Sequence, residues 1–187
     1  MIYVVSGFPR SGTSMMMRAA EAGGIACVYA PHGDANRNRN TLIPGYVPNP
    51  HGFYEDAPLD GDWYGFEGKC VKVLSPNFHT IPTPPPELRV VYMVRDPAEI
   101  RRSYYGILSG PHPESVYDFL DGYKQIVRAD IELLDSVGAD TIMLHYSDVV
   151  ADPRREFAKL AAAGWPIDVD AAAAIVDPAL YRHRGAA

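Results

Sequence analysis

Short apolar runs alternate with amphipathic segments along most of the chain. Four runs rich in apolar and β-branched residues predict strands at 2–6, 70–74, 89–94 and 141–145. Segments of helical periodicity or composition predict helices at 13–22, 98–106, 113–137 and 153–163. Because strands that alternate with helices build parallel sheets, the pattern predicts an α/β fold with a central, mostly parallel β-sheet flanked by helices.

Residues 29–66 interrupt this pattern. The segment has no clear periodicity and is rich in Pro, Gly, Asn and Asp. Loops of this length are usually functional or disordered, and disordered segments are depleted in aromatic residues. The aromatic residues here include Tyr46, Phe53, Tyr54, Trp63, Tyr64 and Phe66. The segment is therefore predicted to be an ordered lid over a binding pocket.

Several residues predict where the helices begin and end. Gly23 and Gly24 should close the first helix, because glycine adopts the left-handed cap conformation at little cost. Pro97 suits the first turn of the second helix, and Asp152 is a candidate N-cap for the last one.

The composition limits the classes of protein to which this chain can belong. A chain of 187 residues with 47% hydrophobic content can build one self-sufficient core, so residues 1–187 are predicted to form a single domain. The formal net charge of −6 argues against a partner that is a nucleic acid or a membrane surface. Any site for an anion must therefore be local.

Cysteine usage and the first residues indicate a cytoplasmic protein. Cys27 and Cys70 lie in apolar settings without metal-ligand spacing, so they are predicted to be reduced packing residues. The chain opens on an apolar run without a basic segment before it, and no apolar run reaches the ~18 residues of a membrane span.

The junction between the first strand and the first helix, residues 7–14, reads GFPRSGTS. Backbone N–H groups and the positive end of the helix dipole converge at such a turn, and glycines let the backbone approach a phosphate closely. Arg10 adds a permanent positive charge. The glycine and serine spacing is that of a Walker A loop, but Thr13 stands where that motif has lysine, which disfavours hydrolysis of a nucleoside triphosphate.

Residues 8–14 resemble the 5′-phosphosulfate loop of the sulfotransferases. A second segment, 90–97 followed by Ser103, is similar to the strand and helix that bind the 3′-phosphate in that family. Residues 145–150 resemble its Tyr-Glu-Asp-Leu segment, and 180–185 look like a short form of its C-terminal Arg-Lys-Gly element. The four segments occur in the family's order.

The resemblance implies a three-layer P-loop fold and a sulfotransferase activity. The donor would be 3′-phosphoadenosine 5′-phosphosulfate, the product 3′-phosphoadenosine 5′-phosphate (PAP), and the acceptor a small molecule held under the lid. No metal is implied. By this resemblance the cofactor-binding residues are Arg10, Ser11, Gly12, Thr13, Ser14, Arg95, Ser103 and Arg184.

Three residues are candidates for catalysis. Arg10 should stabilise charge at the phosphosulfate bridge, because a guanidinium stays protonated. Lys72 resembles the family's strand-end lysine, which stabilises the leaving oxygens, but Leu74 replaces the histidine that serves as base in the eukaryotic cytosolic members. Glu55 is the first candidate for the missing base, with His79 and His51 as reserves.

Other interpretations remain open from the sequence. The P-loop could belong to a nucleotide or small-molecule kinase, or to a nucleotide-binding protein without turnover. Arg95 could be a structural ion-pair partner of Asp96 or Asp148. Arg182 and Arg184 could lie in a solvated tail instead of reaching the 3′-phosphate.

Overall fold

A computed structural model describes residues 1–28, 63–75, 77–82, 85–105 and 116–181. These residues contain a four-stranded sheet in the order β2-β1-β3-β4, in which every pair of neighbours is parallel. The strands are β1 (Ile2–Gly7), β2 (Cys70–Leu74), β3 (Leu88–Val94) and β4 (Asp140–His145). The predicted α/β fold and its parallel sheet are therefore confirmed.

The helices flank this sheet. They are α1 (Thr13–Ala22), α2 (Pro97–Tyr105), α3 (Val116–Ser136), α4 (Tyr146–Ala151), α5 (Pro153–Ala162) and α6 (Val169–Ala174). The predicted helices lie within two or three residues of α1, α2, α3 and α5. Residues 113–115, where the third helix was predicted to begin, lie outside the described ranges.

The structure confirms the predicted end of α1 and the predicted start of α5. Gly24 follows α1 with φ 94°, the left-handed conformation expected of a helix-closing glycine. At the start of α5, the Asp152 side chain accepts a hydrogen bond from the Arg155 N–H, and Pro153 occupies the first turn. The Asp152 side chain thereby satisfies a backbone N–H group that the start of a helix leaves without a partner.

Alternate side chains of the strands enter two different cores. Val5, Val91 and Met93 face α1 and the C-terminal helices on one side of the sheet. Val4, Val71 and Tyr92, among others, face the other side, where Leu134 of α3 is buried with them. The sheet is thus covered on both faces, as all-parallel sheets require, and its carboxyl edge, where β1 and β3 end, is the natural place for a ligand.

None of the helices in the described ranges combines the length and the apolar character needed to cross a membrane.

Candidate active site

The turn between β1 and α1 depends on two glycines that have no room for a side chain. Gly7 has φ 140° and Gly12 has φ 101°. A Cβ atom on Gly7 would lie 2.4 Å from the carbonyl oxygen of Met93, and one on Gly12 would lie 2.4 Å from the Tyr146 ring. The turn therefore packs closely against β3 and α4, and only glycine fits at positions 7 and 12.

Arg10 lies in the middle of this turn with an unusual backbone. Its φ is 74°, and no other non-glycine residue in the described ranges has a positive φ. That conformation costs an L-amino acid about 1–2 kcal/mol. Since strained backbones persist where surrounding contacts impose them, Arg10 is a candidate functional residue on geometric grounds alone.

Two residues of the predicted 3′-phosphate segment contact Arg10 of the predicted phosphosulfate loop. The Nε of Arg10 donates a hydrogen bond of 3.0 Å to the Oγ of Ser103 on α2. The NH1 of Arg95, which follows β3, donates one of 3.1 Å to the Arg10 carbonyl oxygen. The predicted phosphosulfate loop and the predicted 3′-phosphate segment thus form one structural unit.

Arg95 is buried and has several partners. Its Nε donates to Glu99 Oε2 at 2.9 Å, and its Cζ lies 4.4 Å from the centre of the Tyr146 ring and 5.4 Å from that of Tyr181. The anticipated ion pair is therefore present, but it is formed with Glu99 instead of Asp96 or Asp148. The Asp96 side chain caps α2, where it accepts from the N–H groups of Ala98 and Glu99.

Tyr181 closes this cluster from the C-terminal side. Its hydroxyl donates a hydrogen bond of 2.7 Å to the other oxygen of Glu99, and its ring meets Tyr146 edge-on at 5.0 Å. Burial, followed by the hydrogen bond to Glu99, raises the pKa of Tyr181 to about 12. The sequence analysis missed Glu99, which lies in the first turn of α2, four residues after Arg95.

Two further predicted residues lie deep in the fold near the turn. Lys72 is 6% exposed and pairs in register with Val5, so its side chain lies on the α1 side of the sheet. The Ser11 hydroxyl is completely buried against Gly7 and has no hydrogen-bond partner among the residues that the structure describes. A buried hydroxyl without a partner is costly, and an oxygen of a bound anion would relieve that cost.

The remaining predicted residues are placed as follows. Gly12 precedes α1, Thr13 begins it and is buried, and Ser14 is half-buried in its first turn. Leu74 ends β2 opposite Gly7. The candidate base Glu55, its reserve His51 and the C-terminal Arg182 and Arg184 lie outside the described residues, as does the side chain of His79.

A buried polar network, also missed from the sequence, lies on the α3 side of the turn. Tyr92 of β3 donates a hydrogen bond of 2.7 Å to Asp130 of α3, and burial raises the pKa of Asp130. On the same helix, the Tyr123 hydroxyl donates to the Arg95 carbonyl oxygen at 3.2 Å, and its ring meets Phe8 at 5.4 Å. The network therefore joins α3 to both the turn and the end of β3.

No family model and no curated protein matches the sequence. Solved structures do match in fold. A retinol dehydratase in complex with androsterone and the inactive cofactor PAP superposes with a TM-score of 0.51 at 17% identity, over 93% of this chain. Mouse sulfotransferase SULT7A1 complexed with PAP gives the same TM-score and identity, over 94% of this chain.

These comparisons establish the architecture. The chain has the P-loop α/β fold of the sulfotransferases. It corresponds to 62% of the length of each of those two chains.

Proposed function

We propose that this protein is a sulfotransferase, which moves a sulfuryl group from 3′-phosphoadenosine 5′-phosphosulfate to a hydroxyl or amine of a small molecule. The observation that supports this proposal most strongly is the hydrogen bond from Arg10 to Ser103, together with that from Arg95 to the Arg10 carbonyl. It joins the candidate 5′-phosphosulfate loop to the candidate 3′-phosphate residues. The two solved structures named above are both complexes with PAP.

The residues of the turn fit an anion. The first turn of α1 begins at Thr13, directly after the glycine-bearing loop, and the N–H groups of a first helical turn have no acceptor within the helix. Arg10 supplies a permanent positive charge, and the buried Ser11 hydroxyl forms no hydrogen bond within the described part of the chain. On a chain with net charge −6, these features make a local anion site.

The second phosphate of the nucleotide would lie toward α2. Ser103 is buried beside Arg10, and Arg95 is held between Glu99 and two tyrosine rings. Glu99 and Tyr181 would keep the guanidinium in a fixed orientation while its positive charge acts on the 3′-phosphate. Arg184 is proposed to complete that end of the site, a few residues beyond Tyr181.

In the proposed reaction, the acceptor oxygen forms a bond to sulfur while the bond between sulfur and the phosphate oxygen breaks, which releases PAP. Positioning and cationic stabilisation do most of the work in such an in-line transfer. Arg10 would stabilise the bridging oxygen, and Lys72 the equatorial oxygens. The acceptor proton would pass to Glu55, with His79 and His51 as the alternative bases.

The proposal also covers the domain organisation, the 29–66 segment and the compartment of the protein. We propose that residues 1–187 act as one domain, with 29–66 as the acceptor lid, and that the protein works in the cytoplasm. Cys27 and Cys70 are free thiols in the structure, which suits a reducing compartment.

Calorimetric titration with PAP tests the nucleotide site. The wild type should bind PAP with a Kd of about 1 μM, or about −8 kcal/mol, and should bind adenosine 5′-phosphate and ATP·Mg²⁺ far more weakly. Arg10→Ala and Ser103→Ala should each weaken PAP binding. Arg128→Ala removes a positive charge from the exposed side of α3, where Arg128 pairs with Glu132, and should leave binding unchanged.

Other outcomes would replace the proposal. Binding of ATP·Mg²⁺ in preference to PAP would assign the site to a kinase. If the protein binds neither PAP, adenosine 5′-phosphate nor ATP·Mg²⁺, the turn is not a functional nucleotide site. If PAP binds as expected, release of PAP from the phosphosulfate donor in the presence of a panel of acceptors measures turnover, and a protein that binds PAP without turnover is a nucleotide-binding protein.

A further inference from the structure

Two cysteines lie side by side beside the first edge of the sheet. Cys27 pairs with Cys70 in an isolated parallel bridge just after the α1 segment. The Val28 N–H donates to the Cys70 carbonyl oxygen at 2.8 Å, and the Cys70 N–H donates to the Ala26 carbonyl oxygen at 2.7 Å. The backbone therefore holds the two residues directly opposite one another.

The two sulfur atoms occupy the same side of this bridge. The Cys27 Sγ lies 3.7 Å from the Met17 carbonyl oxygen, and the Cys70 Sγ lies 3.7 Å from the Met17 sulfur. Residues facing each other on adjacent strands are about 5 Å apart, within the Cα separation of roughly 4.4–6.8 Å that disulfides span.

We propose that Cys27 and Cys70 are a modification site, at which glutathione disulfide converts the two thiols into a reversible intramolecular disulfide. This proposal does not depend on the sulfotransferase assignment. The thiolate of Cys27 attacks one sulfur of glutathione disulfide, the S–S bond breaks, and one glutathione leaves. The thiolate of Cys70 then attacks the Cys27 sulfur of the mixed disulfide and releases the second glutathione. The two protons lost by the cysteines end on the two glutathione thiols.

Exposure determines the order of these steps. Cys27 is partly exposed, whereas Cys70 is completely buried. Burial, followed by the hydrogen bond to Cys27, raises the pKa of the Cys70 thiol well above its ordinary value. Cys27 is therefore the point of attack, and ring closure by Cys70 is the slower step, which accelerates as the pH rises.

The position of the disulfide gives it a consequence for the rest of the chain. It would tie the residues that lead into the 29–62 segment to β2, and Lys72 lies only two residues after Cys70 on that strand. Oxidation would thus join the residues after α1 covalently to β2, close to Lys72.

The experiment is a redox titration of the folded full-length protein without nucleotide. The protein is incubated in glutathione and glutathione disulfide mixtures, quenched in acid, alkylated and weighed by mass spectrometry. We expect a product that has lost two hydrogen atoms, carries no glutathione and no alkyl group, and is reversed by dithiothreitol. Its rate of formation should rise with pH, because the Cys70 thiolate is the attacking group in the slower step.

Two variants separate the steps. Cys70→Ser should stop at a single glutathione on Cys27, and Cys27→Ser should leave Cys70 unreacted. Peptide mapping of the oxidised wild type gives the same information without relying on the folding of either variant. The proposal is overturned if the wild type, once the redox mixture has reached equilibrium, retains two free thiols, still carries the single glutathione adduct, or is mainly a covalent dimer.

Discussion

The Arg10 Nε and the Ser103 Oγ are joined by a hydrogen bond of 3.0 Å that links the P-loop turn to helix α2. Because Arg10 has φ 74°, its side chain projects from a backbone that few residues other than glycine adopt readily. The turn therefore combines a strained backbone with a charged side chain held by a neighbouring helix.

This combination predicts that two substitutions at position 10 differ in their effect on stability and agree in their effect on PAP binding. Arg10→Gly should be more stable than Arg10→Ala by about 1 kcal/mol, because glycine adopts a positive φ without steric cost. Both variants lack the guanidinium, so both should bind PAP roughly tenfold to a hundredfold more weakly than the wild type. Urea unfolding and calorimetry measure the two effects. Equal stability of the two variants would mean that the turn relaxes its φ.

Gly12 and Gly24 form a matched pair for a second prediction. Their φ values are 101° and 94°, but a Cβ on Gly12 would clash with Tyr146, whereas one on Gly24 would meet no atom of the described residues within 4 Å. Each alanine variant should lose about 1–2 kcal/mol from its backbone conformation. Only Gly12→Ala should lose further stability and displace the Tyr146 ring.

Urea unfolding and PAP binding of the Gly12→Ala and Gly24→Ala variants test this prediction. Gly24→Ala should bind PAP normally, because Gly24 lies at the far end of α1. If both alanine variants lose the same stability and bind PAP equally well, Tyr146 does not constrain the turn.

The third prediction concerns Tyr181, whose pKa is raised to about 12 from an ordinary 10.0. Tyr181→Phe should cost about 1 kcal/mol, the usual value of a lost hydrogen bond, because the Tyr181 hydroxyl donates to Glu99. The raised pKa means that folding favours the neutral phenol. The contribution of Tyr181 to stability is thus complete below about pH 10 and is lost as the pH rises toward 12.

Ultraviolet difference titration of wild type against Tyr181→Phe reports this ionisation directly. Glu99→Gln removes the negative charge beside the phenol and should move the ionisation of Tyr181 toward lower pH. An unchanged titration in Glu99→Gln would show that burial alone sets the pKa.

The fourth prediction concerns Asp130, which accepts a hydrogen bond from Tyr92 inside the fold. Burial raises the pKa of its carboxyl group above the ordinary 3.8, so folding favours the protonated form. This contribution is complete below about pH 3.8 and is lost as the pH rises through the pKa of the folded state. The stability of Asp130→Asn relative to wild type should therefore increase between pH 4 and pH 7.

Thermal unfolding of both proteins across that pH range measures the effect as a difference in Tm. Tyr92→Phe is the companion variant: it removes a hydrogen bond that lowers the pKa of Asp130, so its own stability should fall more steeply with pH. A pH-independent Tm difference between Asp130→Asn and wild type would show that the carboxyl group titrates normally.

Local patterns were sufficient to predict the strands and most helices. The apolar runs of β1 and β3 are clear because these strands are buried on both faces of the sheet, and the periodicity of α3 is clear because one side of this helix packs on the sheet. The six-residue helix α4 was not predicted, since it follows β4 without a loop and is too short to show a period. Helix α6 is equally short, although Asp168 caps it through hydrogen bonds from Asp170 and Ala171.

The candidate site was predicted only as far as its residues lie in recognisable segments. Arg10, Ser103 and Arg95 came from the sequence, and the structure brings them together. The hydrogen bond between Tyr181 and Glu99 spans 82 residues, so no local pattern indicates it. The positive φ of Arg10 was also missed, because arginine does not favour that conformation and the residue type therefore gives no sign of it.

The central position of β1 has a consequence for how the protein is made. Tyr3 of β1 lies between Cys70 and Arg89, which are synthesised much later. The first strand emerges from the ribosome long before either neighbour exists, and its apolar side chains remain exposed in the meantime. Pairings between such distant segments close slowly, and exposed strands invite aggregation. The nascent chain is therefore expected to need chaperone protection until β3 has been translated.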